Sequence, residues 1–250
     1  MIYHHTVKGT FLRRPNRFIA YVLVNGQEEK CHVKNTGRCR ELLIPGVTVV
    51  LEFDPDAEAK GRKTAYDVIA VYKEQGGIHG QPLLINMDSQ APNAAAYEWV
   101  KDGGLSRMTA RTSADQPPVL TNLRREVTYG KSRFDLAFRL DGTPAFLEVK
   151  GVTLEANGLA MFPDAPTERG LKHINELASL VSEGYLCFLL LVIQMKDISA
   201  FTPNMETQPE FGYALKKAAD AGVKLLACDC VIHEDSMLID RDIKILLPDS

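Results

Sequence analysis

Two strand-like runs, SRFDLAF at 132–138 and AFLEVKG at 145–151, flank an Asp141-Gly142 dipeptide, and this hairpin constrains the chain more than any other segment. Asp-Gly favours a two-residue type I′ turn, because both central residues need positive φ. Leu140 then pairs with Thr143, and counting back along both strands sets Asp135 opposite Glu148. Side chains on an extended strand alternate between faces. Phe134, Leu136 and Phe138 therefore share one face, with Asp135 and Ala137 on the other. On the second strand Glu148 and Lys150 share a face opposite Leu147 and Val149.

Like charges facing each other across a sheet cost stability, so a carboxylate pair needs compensation. A divalent cation with oxygen ligands, Mg²⁺ or Mn²⁺, supplies it, with Asp135 and Glu148 as ligands and Lys150 one alternation further on. A solvated hairpin face on which Lys150 neutralises Glu148 supplies it equally well. The hairpin alone leaves both readings open.

The 250 residues, 45% hydrophobic and 24% charged, suit a soluble globular protein of one or two domains. A net charge of −3 does not mark a nucleic-acid binder, but the average conceals a patch. Between positions 13 and 40 lie Arg13, Arg14, Arg17, Lys30, Lys34, Arg38 and Arg40 against only Glu28 and Glu29. Five cysteines with no C-x-x-C argue for a reducing compartment, and the cytoplasm is the expected location. Cys31, His32 and Cys39 lack the paired close spacing of a zinc site. The first residues contain no apolar signal segment, and no run reaches the ~18 apolar residues that span a bilayer.

Residues 1–88 read as an all-β unit: TFLRR, RFIAYVLVNG, KCHVKN, GVTVVLEF, AYDVIAVYK and QPLLINM, with turns at Asn25-Gly26 and Pro45-Gly46. A small closed barrel accommodates them, the oligonucleotide/oligosaccharide-binding (OB) fold being the leading expectation and an SH3-like barrel the alternative. From 89 to 250 the character changes. A helix is predicted within SQAPNAAAYEWVKDG with Ala94, Tyr97 and Lys101 along one side, followed by three strands ending in LEVKGVTLE. A second helix from Thr167 to Glu183 carries Leu171, Ile174, Ala178 and Val181 on its apolar stripe. YLCFLLLVIQM reads as a strand covered on both faces, PEFGYALKKAADAG as a helix opened by Pro209, and VKLLACDCVI as a last strand. That order predicts an α/β domain with a mixed sheet.

Several strings, HVKNTGRCREL, SRFDLAF, LEVKGVTLE, FPDAPTERGLKH and FTPN, resemble the sugar fermentation stimulation protein A family across essentially the whole chain. The resemblance implies an OB-like barrel followed by a domain similar to PD-(D/E)xK nucleases of restriction-endonuclease type, and DNA binding linked to regulation of sugar metabolism. Carried onto this chain, the nuclease-like motif falls on Asp135, Glu148 and Lys150, with Phe134 where the motif's loosest element, a proline, would stand. Asp135 and Glu148 would then hold Mg²⁺ or Mn²⁺, with Lys150 stabilising charge at the phosphate.

Further candidates surround this core. Glu98, on the helix before the sheet, is expected at the surface rather than as a ligand. Arg169 and His173, one turn apart and off the apolar stripe, are placed to reach a nucleic-acid phosphate, and Asp164 in the preceding loop is a candidate for positioning a ligand. In the barrel, Arg13, Arg14 and Arg17 flank Pro15-Asn16, while Lys34, Asn35, Arg38 and Arg40 surround Thr36-Gly37, an arrangement suited to phosphates. Phe11, Phe18 and Tyr21 are expected in the core, with stacking on bases as the alternative. DNA is the expected partner and RNA a second option; the sequence leaves the oligomeric state open, a homodimer included. A non-catalytic DNA-binding regulator and a sugar-binding barrel are the competing function classes, the latter disfavoured by the arginines and the single Trp99.

Overall fold

The structure, a computed structural model, describes residues 1–35, 37–110, 117–130 and 132–248. Thr36 lies outside them. Six strands make the first sheet: β1 (Thr6–Asn16), β2 (Ile19–Val24), β3 (Gln27–Val33), β4 (Thr48–Phe53), β5 (Tyr66–Gly76) and β6 (Gln81–Asn86). The alternation is plainest on β2, where Ala20, Val22 and Val24 are buried while the intervening residues reach the surface, whereas β4 and β5 carry continuous buried runs. The order is β3-β2-β1-β4-β5-β6, and a parallel pairing of β3 with β5 closes the first five into a barrel. That closure is the OB topology, which sets aside the SH3-like alternative.

The second half begins with α1 (Ala91–Lys101) and α2 (Gly104–Ala110) and continues with β7 (Leu120–Tyr129), β8 (Ser132–Leu140), β9 (Thr143–Val152), β10 (Leu154–Ala156), β11 (Leu159–Phe162) and α3 (Glu168–Ser182). It ends with β12 (Leu186–Ile193), β13 (Ala200–Pro203), α4 (Pro209–Asp220), β14 (Lys224–His233), β15 (Ser236–Asp242) and β16 (Lys244–Ile245). Its main sheet has the order β15-β14-β12-β9-β8-β7, in which β9, β12 and β14 run parallel and the outer pairings are antiparallel. β10, β11, β13 and β16 form a small separate sheet. The central strand β12 is buried along nearly its whole length, as its unbroken apolar run requires.

Helices cover both faces of this sheet. Phe146, Leu189 and Leu191 pack in one core with Ile174 and Leu177 of α3 and Phe211 and Leu215 of α4, a core continuous with the barrel interior around Val22 and Leu51. Leu136, Leu147, Val149 and Leu190 pack on the other side with Ala95 and Ala96 of α1. The buried side of α1 is thus Ala91, Pro92, Ala95, Ala96 and Val100, not the Ala94, Tyr97 and Lys101 line. Small alanines let this helix approach the sheet closely. Thr167 caps α3, its Oγ1 accepting the Gly170 N–H at 3.0 Å, and Gly184, at φ +91°, follows where the helix stops.

The halves are fastened by buried polar contacts. Glu155 accepts from Lys73 Nζ at 2.5 Å, from the Gly77 N–H at 3.0 Å and from the Gly158 N–H at 2.7 Å. Gln194 Nε2 donates to the carbonyls of Asn86 and Asp88 and to Asn86 Oδ1. These contacts fix the barrel relative to the C-terminal end of β9, where the candidate chemistry sits. No helix among the described residues is long and apolar enough to cross a membrane.

Candidate metal and nucleic-acid site

Asp141 and Gly142 take φ of 48° and 81°, the positive pair a type I′ turn demands, and Leu140 pairs with Thr143. The register then runs back as counted through Arg139–Pro144, Phe138–Ala145, Ala137–Phe146 and Leu136–Leu147. There it stops. Asp135 does not pair with Glu148 in the ladder; its Oδ2 instead accepts the Val149 N–H at 2.7 Å. A carboxylate has taken the place of a backbone acceptor, and the strands part beyond it. Alternation breaks at the same point: Leu136 and Phe138 face α1, whereas Phe134 packs on the α3 side, its ring centroid 4.8 Å from that of Phe146.

Asn93 on α1 fills out the other side of Asp135, donating from Nδ2 to Oδ1 at 2.7 Å. Glu148, on the α3 face with Phe146, is 2% exposed. Its Oε1 receives Lys150 Nζ at 2.5 Å and also meets His173 Nδ1, while Oε2 is buried with no hydrogen-bond partner among the described residues. Because an ionised carboxylate only accepts, Nδ1 carries the proton in that contact. Burial opposes charge on both acids. For Asp135, burial and the nearby Glu148 charge outweigh the donors and push its pKa above the ordinary carboxylate value. For Glu148, burial is overcome by the His173 hydrogen bond and by Lys150, and its pKa lies below the ordinary value.

His173 is the clearest correction to the expected helix faces. It is 5% exposed and spends Nδ1 on Glu148, so it lies beneath the surface and not on the solvent face of α3. The apolar stripe of α3 is broader than Leu171, Ile174, Ala178 and Val181; it includes Gly170, Leu177 and Leu180, and His173 falls within it. Arg169 is exposed. Glu98 is at the surface, where Oε2 receives the amino group of Met1 at 2.6 Å. Asp164 stands near Gly37 of the barrel, so close that a Cβ on Gly37 would come within 2.8 Å of Oδ2.

The barrel residues divide into two groups. Arg13, Arg14, Arg17, Arg38 and Arg40 line one groove of about 600 Å³, with Phe11, Asn16 and Pro45 among its other walls. Arg14 is the framework of that groove, donating to the carbonyls of Arg17, Asn35 and Arg38. Arg13 is clamped by Glu28, at 2.7 Å through both terminal nitrogens, and lies 4.0 Å from the Tyr21 ring centroid. Phe11 is core, but Phe18 is 45% exposed with the Arg17 guanidinium 4.9 Å from its ring centroid. Lys34 and Asn35 lie outside the wall of arginines: Lys34 Nζ meets Glu52 at 2.9 Å and Asp88 at 3.5 Å, and Asn35 Nδ2 donates to the Met87 carbonyl at 2.8 Å. A second recess, of about 330 Å³, shares Gly37 with the arginine groove and reaches Gly151 and Thr153 just past Lys150.

The family model described as "SfsA N-terminal OB domain" matches residues 12–79, and that described as "Sugar fermentation stimulation protein RE domain" matches residues 90–236. A sugar fermentation stimulation protein homolog of Alkaliphilus oremlandii is 51% identical over 243 residues, 96% of either chain. The chain belongs to the sugar fermentation stimulation protein family. A Clostridium beijerinckii homolog is 44% identical over 247 residues, 99% of this chain and 100% of its own. In fold the chain is similar to the structure of Pyrococcus furiosus SfsA in complex with Ca²⁺, with a TM-score of 0.81, 24% identity, and 99% and 98% of the two chains covered. For a member of this family, then, the barrel and the mixed α/β domain are the expected pair, and both are present.

Two site residues escaped sequence reasoning. Asn93 is an amide in the otherwise alanine-rich first turn of α1, and that polar break was its signal. His173 as a partner of Glu148 was hidden by the helical wheel, because an imidazole placed one turn after Arg169 looks solvent-facing until the width of the buried stripe is known. Among the described residues no group of three or more His, Cys, Asp or Glu side chains is arranged to hold a metal ion unaided.

Proposed function

We propose that this chain binds nucleic acid, DNA foremost and RNA as a second substrate class, and that Asp135, Glu148 and Lys150 form a divalent-metal site for phosphodiester hydrolysis. The observation that carries the reading is the bare, buried Oε2 of Glu148 beside a carboxyl whose charge the fold disfavours. An unsatisfied buried carboxylate oxygen is expensive, and a cation would repay that cost and the repulsion of Asp135 together. Asp135 and Glu148 would hold Mg²⁺ or Mn²⁺, with water and substrate phosphate completing the shell, the usual manner of Mg²⁺ in sites with few protein ligands. When bound, the ion polarises the phosphate and acidifies a water.

The residues themselves do the rest. Val149 N–H and Asn93 hold Asp135, and His173 and Lys150 hold Glu148, so neither carboxylate has to reorganise. Lys150 brings positive charge to the place where the phosphate becomes more negative. The arginine groove supplies sequence-independent affinity through phosphate contacts, and Phe18 offers a base an exposed ring. The divalent ion named with the Pyrococcus furiosus structure supports metal binding within this fold. Five free, buried cysteines support a cytoplasmic setting.

The shortage of protein ligands favours a second reading, a DNA-binding regulator that keeps the nuclease-like fold without cutting. Incubation of single-stranded, duplex and branched DNA, and of RNA, with Mg²⁺ or Mn²⁺ separates the two. Cleavage lost in Asp135→Asn, Glu148→Gln and Lys150→Ala is the expected result; intact binding with no cleavage of any substrate assigns the regulator.

A further inference from the structure

On the α3 side of the metal residues lies a recess of about 490 Å³ lined by Ser132, Arg133, Glu168, Arg169, Lys172 and His173. Arg133, Arg169 and Lys172 give it three cations, opposed within the lining by Glu168 alone. Arg133 is only loosely engaged by an acid, at 3.7 Å from Glu126, and Lys172 stands 3.7 Å from Glu176. Arg169, exposed in the first turn of α3, makes no hydrogen bond or ion pair among the described residues. The barrel arginines, by contrast, are held by Glu28 or by backbone carbonyls where they are held at all.

The recess also holds the unused half of a buried side chain. His173 is 5% exposed, and Nδ1 is committed to Glu148. Its other ring nitrogen has no protein partner among the described residues, and it is not enclosed, so it opens on the recess. In the tautomer that gives the Nδ1 proton to Glu148, Nε2 is an acceptor and takes a water or an O–H from whatever fills the space. A buried imidazole thus spans from the carboxylate to the recess. Arg133, Arg169 and Lys172 around it define an anion site, and guanidinium groups are suited to phosphate oxygens.

We infer that this recess is a phosphate subsite, separate from the arginine groove of the barrel, which seats a phosphate of the nucleic-acid strand beside the Asp135–Glu148 pair. The inference rests on the proposed nucleic-acid reading and gives it direction. The strand runs from the barrel groove across the end of β9 to the first turns of α3. The phosphate is either an internal diester or a terminal monoester, two sources of one chemistry.

Binding without metal tests this apart from cleavage. In EDTA, fluorescence anisotropy would follow a 5′-phosphorylated oligonucleotide, its 5′-hydroxyl counterpart and a circular single strand over a range of salt. Arg169→Ala and Lys172→Ala, both at exposed positions, should each weaken binding several-fold, to about tenfold, and reduce the log–log salt slope by about 1. Lys224→Ala, on β14 three strands away from β8 and outside the recess lining, should leave both unchanged. Loss confined to the 5′-phosphorylated strand assigns a terminal monoester; equal loss on the circle assigns an internal diester. Variants that bind all three as the wild type does, or that weaken binding no more than Lys224→Ala does, overturn the subsite. Parallel Mn²⁺ cleavage assays keep the outcomes distinct: a wild type that binds but never cuts removes the nuclease reading and leaves the subsite standing, whereas a wild type that binds no strand removes both.

Discussion

Asp135 and Glu148 lie on adjacent strands, yet the fold treats their charges in opposite ways. A carboxyl whose folded pKa is raised binds its proton more tightly when folded, so Asp135 subtracts stability as pH rises from the ordinary carboxylate value through its own, and the deficit persists above it. Asp135→Asn, in EDTA at neutral pH, should therefore raise the melting temperature by roughly 2–4 °C for about 1 kcal/mol, and it should steepen the acid limb. Glu148 has the opposite sign: its folded pKa is depressed, so its contribution is present above the unfolded value and is lost as pH falls through the folded one. Glu148→Gln should accordingly destabilise at neutral pH by about 1–3 kcal/mol, the range for weakening a buried hydrogen-bonded charge. Thermal melts across pH check both signs, and two shifts in the same direction would contradict the account. At this scale the closeness of Asp135, Glu148 and Lys150 was legible in the sequence. The partners were not, because Asn93 and His173 come from helices whose inner faces depend on packing.

Among the elements, the β8–β9 hairpin shows how far local rules reach. The type I′ turn and the register follow from Asp141-Gly142, and Gly142, at φ +81° with open space where a Cβ would stand, tests the turn without any steric complication. Gly142→Ala should cost about 1 kcal/mol through backbone strain alone, measured by denaturant titration. The same rules failed one residue beyond Leu136, where the Asp135 side chain replaces the backbone in bonding Val149 and the strands separate. Period-2 counting cannot foresee that substitution. β12 was plain from its apolar run, while β10, β11, β13 and β16 were not, because segments of two to four residues carry no periodicity.

Across the whole molecule, the barrel and the α/β domain are joined by buried polar contacts. Glu155, fully buried and holding Lys73, Gly77 and Gly158, pins the β5–β6 hairpin to the C-terminal half. Glu155→Ala should cost about 3–5 kcal/mol, as removal of one member of a buried pair does, with hydrogen exchange rising first at residues 76–80. Opening confined to other regions would mean that the interface is held elsewhere. The two halves were legible from the switch between all-β and mixed patterning, and the arginine patch from its local charge. The division of labour within that patch was not: Lys34 and Asn35 look like phosphate ligands in sequence, but they are engaged by Glu52, Asp88 and Met87.

The central claim is that Asp135 and Glu148 together hold a divalent cation, and calorimetric titration of Mn²⁺ into the metal-free protein tests it most directly. The wild type should bind, and Asp135→Asn and Glu148→Gln should each lose at least tenfold in affinity, equivalent to about 1.4 kcal/mol. No heat of binding in the wild type, or unchanged affinity in both variants, would contradict it.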